Sequence, residues 1–335
     1  MSRKKGGVIK TPGAAILAAA SAVGKQEHEG PLGSCFDYFD PTDRFGVKTW
    51  EKAESEMQRI AFAGAMGKLG VTETDIDALF AGDLLNQCVG SAYGLLDFDV
   101  PYFGLYGACS TAAEGLALAA MAVSGGMLGR AAAVTSSHNA AAERQYRSPL
   151  EYGGQRPPTS QWTVTGAGAA VVTAQGSGVR ITHVTAGRIV DAGIDDANNM
   201  GAAMAPAAYD TLRAHFADTG RAPEYYDAIF TGDLGALGHD ILQSLFAADG
   251  VTLGARYMDC GVLIYDLRTQ DVHAGGSGCG CSASVLCAHI LPAMRRGVWK
   301  RVLFAATGAL MSPTSAQQGQ PVPGICHAVA LETED

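Results

Sequence analysis

"DALFAGDL" at residues 77–84 returns 150 residues later as "DAIFTGDL" at residues 227–234, with six of eight positions identical. A second, weaker echo follows each copy. "GACSTAAEGLALAAMAVSGGMLGRAAAVT" (residues 107–135) and "GCGCSASVLCAHILPAMRRGVWKRVLFAAT" (residues 278–307) both run from a small-residue turn with cysteine through a helical stretch and a Gly/basic break to an apolar strand. Two copies of one β-α-β plan in tandem follow, joined near residues 176–180. This predicts two halves, 1–178 and 179–335. Short apolar strands alternating with longer helices predict a largely parallel sheet in each half, helices on both faces, and an αβαβα core.

The composition fits that reading. Hydrophobic residues make up 47% of the 335 positions and charged residues 17%, enough apolar material for one large core or two packed ones. A formal net charge of −9 without a Lys/Arg stripe excludes a nucleic-acid binder. Eight cysteines in so long a chain are read as reduced thiols in the cytosol, not a disulfide framework. The basic start and mildly apolar run of "MSRKKGGVIKTPGAAILAAASAVG" (1–24) imitate a secretory signal, but the run is mostly Ala behind Pro12 and Gly13 and reads equally as a first strand and turn. No stretch approaches the roughly 20 continuous apolar residues of a spanning helix.

A duplicated α/β chain with a Gly-Ala-Cys turn in its first half resembles the thiolase superfamily, which includes the ketoacyl synthases, and "TGAGAAVVTA" (165–174) resembles the Gly-rich hairpin that superfamily places after its nucleophile half. The resemblance implies a duplicated five-layer αβαβα fold with Cys109 at the nucleophile position. More closely, "KQEHEGPLG", "AGDLLNQ", "GLYGACSTAAEGLALAA", "QRPPTSQWTVTGAGA", "HAGGSGCGCSA" and "ATGALMSP" together resemble the stage V sporulation protein AD family. That closer resemblance implies a sporulation protein that binds dipicolinic acid and works beside the other stage V sporulation A membrane proteins, as a soluble chain at the inner spore membrane. It implies no cofactor, with calcium entering only as a companion of the ligand. A homodimer is also expected, closed by the apolar, aromatic loop "NQCVGSAYGLLDFDVPYFGLYG" (86–107).

Acyl transfer on Cys109 needs a thiolate at a helix N-terminus, a base to make it, and donors for the oxyanion. Aligned with the superfamily, the second-half His position falls at or near Asp233, and the second His or Asn position at Cys279. A carboxylate beside the sulfur raises its pKa against the helix dipole. Two readings stand: a non-catalytic dipicolinate-binding protein, and a Cys109-dependent acyltransferase or condensing enzyme.

A flat aromatic dianion needs a narrow slot, a helix terminus to hold one carboxylate and a cationic fork for the other. The N–H groups around Cys109, Ser110 and Thr111 are the anion candidates. The segment 136–158 supplies His138, Arg144, Arg147 and Arg156, of which Arg147 beside Tyr146 is the choice. Asp233, His273 and Cys279 complete the candidate lining. Each has a plainer alternative: Cys109 as inert core, the arginines as solvated charges, His138 and His273 as backbone-bonded histidines near strand ends, His239 as surface helix. Cys279 and Cys281 with His273 or His289 lack the second Cys pair of a zinc site, and "GGSGCG" lacks the Lys-Ser/Thr ending of a phosphate loop, so no metal is expected.

Overall fold

The structure is a computed structural model that describes residues 7–146, 156–174 and 176–333. The first half contains strands β1 (Ala15–Val23), β2 (Ala78–Gly82), β3 (Tyr102–Gly104), β4 (Arg130–Ser137) and β5 (Gly166–Thr173), with helices α1 (Trp50–Leu69) and α2 (Thr111–Ser124). The second contains β6 (Val179–Thr185), α3 (Met200–Thr219), β7 (Ala228–Thr231), α4 (Gly235–Ala248), β8 (Tyr257–Asp259), α5 (Cys279–Val285), β9 (Arg301–Ala309) and β10 (Gly324–Glu332).

Strand order is β8-β7-β9-β10-β6-β1-β5-β4-β2-β3, so each half carries the same five-strand order and the two first strands meet antiparallel at the centre. Helices α2 and α5 fill the middle layer, α2 between β4 and β10, α5 against β5 and β4. Helix α1 covers the outer face of the first half, α3 that of the second. The result is the duplicated αβαβα arrangement expected from the repeat.

The sheet is less parallel than the alternation implied. Strands β3, β2 and β4 run parallel, but β5 is antiparallel to both β4 and β1; β10 is likewise antiparallel to β9 and β6. The physical reason lies in the connections: the chain leaves β4 and β9 at the same end of the sheet at which it enters β5 and β10, with no crossover back.

The repeated octapeptide owes its sequence to backbone demands. The carboxylate of Asp77 accepts the N–H groups of Gly129 and Arg130 at 2.7 and 2.8 Å, and that of Asp227 accepts Lys300 and Arg301 at 2.8 Å each, pinning the start of the fourth strand in both halves. Gly82 and Gly232 are sites of close approach, since a Cβ would lie 2.1 Å from the Leu105 carbonyl in one half and 2.9 Å from Ala306 Cα in the other. The Ala-rich runs "AILAAASAV" and "RAAAVTSS" form central strands in spite of Ala's helix preference. Their small side chains let the middle helices come close, and a Cβ on Gly168 would lie 2.4 Å from the Ala283 carbonyl of α5.

Candidate functional site

Cys109 lies in a 3-10 turn, Ala108–Ser110, that runs directly into α2. Ala108 is held at φ +51°, a left-handed conformation uncommon outside Gly and Asn that often marks a functional turn. The turn consumes its own donors. Ser110 gives both its N–H (3.1 Å) and its hydroxyl (2.7 Å) to the Gly107 carbonyl, and Thr111 gives its N–H and its hydroxyl (2.7 Å) to Ala108. The anion cradle expected around Ser110 and Thr111 is therefore occupied, because a helix entered through a 3-10 turn closes i→i+3 bonds over its first N–H groups. The Cys109 N–H is the donor that the turn itself leaves unused.

Cys109 is 5% exposed; its thiol lies beside the Asp233 carboxyl, with Ser277 Oγ at 3.9 Å. Asp233 follows β7 and is fully buried. Its Oδ2 accepts Ser277 Oγ–H (3.2 Å) and the Gly278 N–H (2.9 Å), and its Oδ1 accepts Thr307 Oγ–H (2.9 Å). Burial raises the Asp233 carboxyl to about 7. Burial, followed by the Asp233 charge, pushes the Cys109 thiol well above its ordinary value. Cys279 sits in the same cluster with Leu84 and Ala142, its thiol donating to the Ser136 carbonyl at 2.9 Å, and is pushed up by burial and by Cys109. The three residues aligned with the catalytic positions of the superfamily therefore converge.

Tyr146 packs over this cluster and donates to the Leu84 carbonyl at 3.0 Å, and its hydroxyl also meets that of Tyr106. Burial raises both phenols, and the neighbouring Tyr146 raises Tyr106 further, so both stay protonated. Together they form an aromatic rim whose outer member, Tyr106, is 43% exposed. Ser277, Thr307 and Tyr106 are site residues that sequence reasoning missed. Tyr106 stands three residues before Cys109 in "GLYGACS", so the signal was available.

Other candidates lie elsewhere. His138 is buried, but its Nε2 bonds the Asp43 carbonyl at 2.8 Å and its ring lies 5.4 Å from that of Trp50; burial lowers its pKa. It lines a separate small cleft with Lys25, Asp43 and Trp162. His273 sits at φ +49° with Nε2 3.4 Å from Asp271, outside the Cys109 cluster. His138 matches its plainer alternative of a backbone-bonded histidine, whereas the His273 ring meets a side-chain carboxylate. Arg144 pairs with Glu51, and Arg156 pairs with Asp271 over the Trp162 ring. Arg147 lies outside the described residues. His239 is on α4, as expected, but stacks on Tyr257 with ring centroids 4.5 Å apart. Among the described residues, no three His, Cys, Asp or Glu side chains are grouped to hold a metal ion.

The chain resembles solved condensing enzymes in fold. It superposes on a 3-oxoacyl-[acyl-carrier-protein] synthase III from Aquifex aeolicus VF5 with a TM-score of 0.59 at 15% identity, covering 95% of this chain and 99% of that one. On Xanthomonas campestris OleA E117A the TM-score is 0.61 at 15% identity, covering 97% and 99%. In sequence it is 47% identical over 317 residues to stage V sporulation protein AD of Bacillus subtilis (strain 168), covering 95% of this chain and 94% of that protein. The family model described as "Stage V sporulation protein AD (SpoVAD)" matches residues 5–332, and the chain belongs to that family.

Proposed function

We propose that this sporulation protein is a non-catalytic receptor for dipicolinate (pyridine-2,6-dicarboxylate), held in the pocket beside Cys109. One observation carries the reading: the groups facing the Cys109 sulfur are a buried carboxyl, Asp233, and a second thiol, Cys279, where acyl transfer needs imidazole or amide. A thiol held protonated is a poor nucleophile but a tolerable wall for a planar ring. The Tyr106 and Tyr146 phenols and the Ser277 hydroxyl supply polar edges, and the Cys109 N–H supplies a donor at the helix entry. Arg147, next in the chain after Tyr146, is our candidate for the cationic fork.

In this reading the chain works as a homodimer beside the other stage V sporulation A membrane proteins, on the inner spore membrane. No helix among the described residues is long and apolar enough to cross a membrane itself, which suits a peripheral partner. Calcium enters only as a companion of the ligand.

Calorimetry tests the proposal. The protein should bind pyridine-2,6-dicarboxylate at least tenfold more tightly than pyridine-2-carboxylate, about the effect of one charge-assisted hydrogen bond of roughly 1.5–3 kcal/mol. Arg147→Ala should remove most of that difference, and Cys109→Leu should fill the slot and abolish binding. Equal affinity for the two acids would refute the receptor reading. A stable acyl adduct on Cys109 after incubation with acyl-CoA would favour the condensing-enzyme alternative instead.

A further inference from the structure

In the receptor reading a dianion held beside Cys109 lies close to Asp233, a carboxyl with no cation among its hydrogen-bond partners. Two like charges brought together inside a protein repel unless one of them is neutralised. We propose that Asp233 resolves the conflict by taking up one proton as the ligand binds and donating it to a ligand carboxylate, so that each dicarboxylate enters with a proton and leaves when the pH rises. The inference rests on the receptor reading above and names the residue that couples that site to pH.

The hydrogen-bond geometry around Asp233 permits the exchange. Of its three donors, only the Gly278 N–H is fixed in direction; Ser277 and Thr307 present hydroxyls, which rotate about their C–O bonds and can accept as readily as donate. A proton on Oδ1 can therefore face Thr307 or the ligand while Oδ2 keeps the Gly278 N–H.

Asp259, a buried carboxylate whose charge acts on Asp233, is built differently. It accepts the backbone N–H groups of Leu234, Gly235 and Val262 together with the Thr231 hydroxyl, and three of these four donors cannot turn round. The remaining titratable groups facing Asp233 are thiols. Cys109 comes from the turn before α2, Cys279 and Cys281 from α5, Cys260 from the helix after β8, and Cys326 from β10; burial raises all of them, so none competes for a proton near neutrality. The Asp233 carboxyl itself titrates at about 7, where a ligand's charge can tip it.

The sign follows from linkage. Below the midpoint Asp233 is already protonated and affinity is flat; above it each binding event draws a proton from solution, and affinity falls about tenfold per pH unit until the bound form also loses its proton. Titration calorimetry of pyridine-2,6-dicarboxylate into the full chain, in two buffers of different ionisation enthalpy between about pH 6 and pH 8.5, reads the proton count directly. About one proton taken up at the alkaline end and close to none at the acid end is the expected result. Binding with no proton uptake and a flat affinity would overturn the coupling while leaving the receptor reading intact; no binding at any pH would overturn both.

Asp233→Asn should bind without proton uptake and without pH dependence, and continued uptake in that variant would overturn the assignment to Asp233. Should the asparagine variant fail to fold, Thr307→Val supplies the check. Removing a donor to the charged form should move the onset of the fall in affinity to higher pH, and an unmoved onset in a folded Thr307→Val protein would overturn the role given to the hydroxyl.

Discussion

Gly308→Ala is the most direct test of how the Cys109 turn is held. Gly308 sits near the end of β9, where a Cβ would fall 2.4 Å from the Gly107 carbonyl oxygen, 3.0 Å from the Ser110 nitrogen and 3.2 Å from the Cys109 nitrogen. All three are backbone atoms, and the Gly107 oxygen already accepts the Ser110 N–H and hydroxyl, so it cannot retreat without opening the 3-10 turn. Overpacking of this kind costs about 1–3 kcal/mol, and a broken turn bond about 0.5–1.5 kcal/mol more. The lower unfolded-state entropy of Ala offsets about 0.4–1 kcal/mol of that. The net expectation is a loss of about 0.5–4 kcal/mol, read as a lower urea midpoint, together with a loss of dicarboxylate affinity larger than tenfold because the Cys109 N–H is displaced. Gly67→Ala is the matched control. That glycine is exposed within α1 with nothing near its absent Cβ, and the substitution should stabilise by about 0.5–1 kcal/mol with binding unchanged. A Gly308→Ala protein as stable as the parent and still binding the dicarboxylate normally would refute the close-packed turn.

Two further outcomes test the resting site and the assembly. Near neutral pH iodoacetamide should modify Cys109 far more slowly than exposed Cys35, because burial and Asp233 keep the Cys109 sulfur protonated; peptide mapping showing equal rates would mean a base has been overlooked. Strand β3 is an edge strand, and Tyr93, Leu96 and Phe103 are 70%, 68% and 53% exposed around it, a surface suited to pairing with a second copy. Sedimentation should therefore report a dimer that Phe103→Glu converts to monomer, and a parent protein that is monomeric at micromolar concentration would remove the dimer from the proposal.

What the sequence made legible and what it hid divide along a physical line. The octapeptide repeat was legible because its residues answer backbone demands that recur wherever the same β-α-β unit is built: Asp77 and Asp227 pin the next strand, Gly82 and Gly232 make room for a neighbour. The grouping of Cys109, Asp233 and Cys279 was anticipated from the resemblance to the superfamily rather than from the repeat. Strand direction was not legible, since it depends on which end of the sheet a connection returns to. The spare donors of Ser110 and Thr111 were overestimated because a helix start in sequence does not reveal whether a 3-10 turn closes over it. His138 was misplaced because the partner that turns its ring, the Asp43 carbonyl, is 95 residues away.

The repeat also places a second buried acid in the first half, and the two acids are bonded differently. Asp83 is the counterpart of Asp233, at the same place in the motif and equally buried, yet its oxygens are taken by the Leu85 N–H (2.8 Å) and by the Ser91 N–H and hydroxyl (2.7 and 2.6 Å). Gln58 of α1 then ties the Ser91 and Ser136 hydroxyls together at 2.8 and 2.9 Å, and Ser136 donates onward to Glu54 at 2.9 Å. The amide nitrogen faces both hydroxyls and the Gly82 carbonyl (3.2 Å), and the hydroxyls donate onward to carboxyl groups, Ser91 to Asp83 and Ser136 to Glu54. The acid here is one member of a connected network of side chains. Asp233 lacks such an amide above its hydroxyls; Ser277 and Thr307 reach it from two elements of the middle of the molecule, beside the Cys109 turn. The same acid in the same repeat is thus held by an amide-linked network against α1 in one half and by two hydroxyls beside the Cys109 turn in the other, which is why the proposed proton exchange is assigned to Asp233 and not to Asp83.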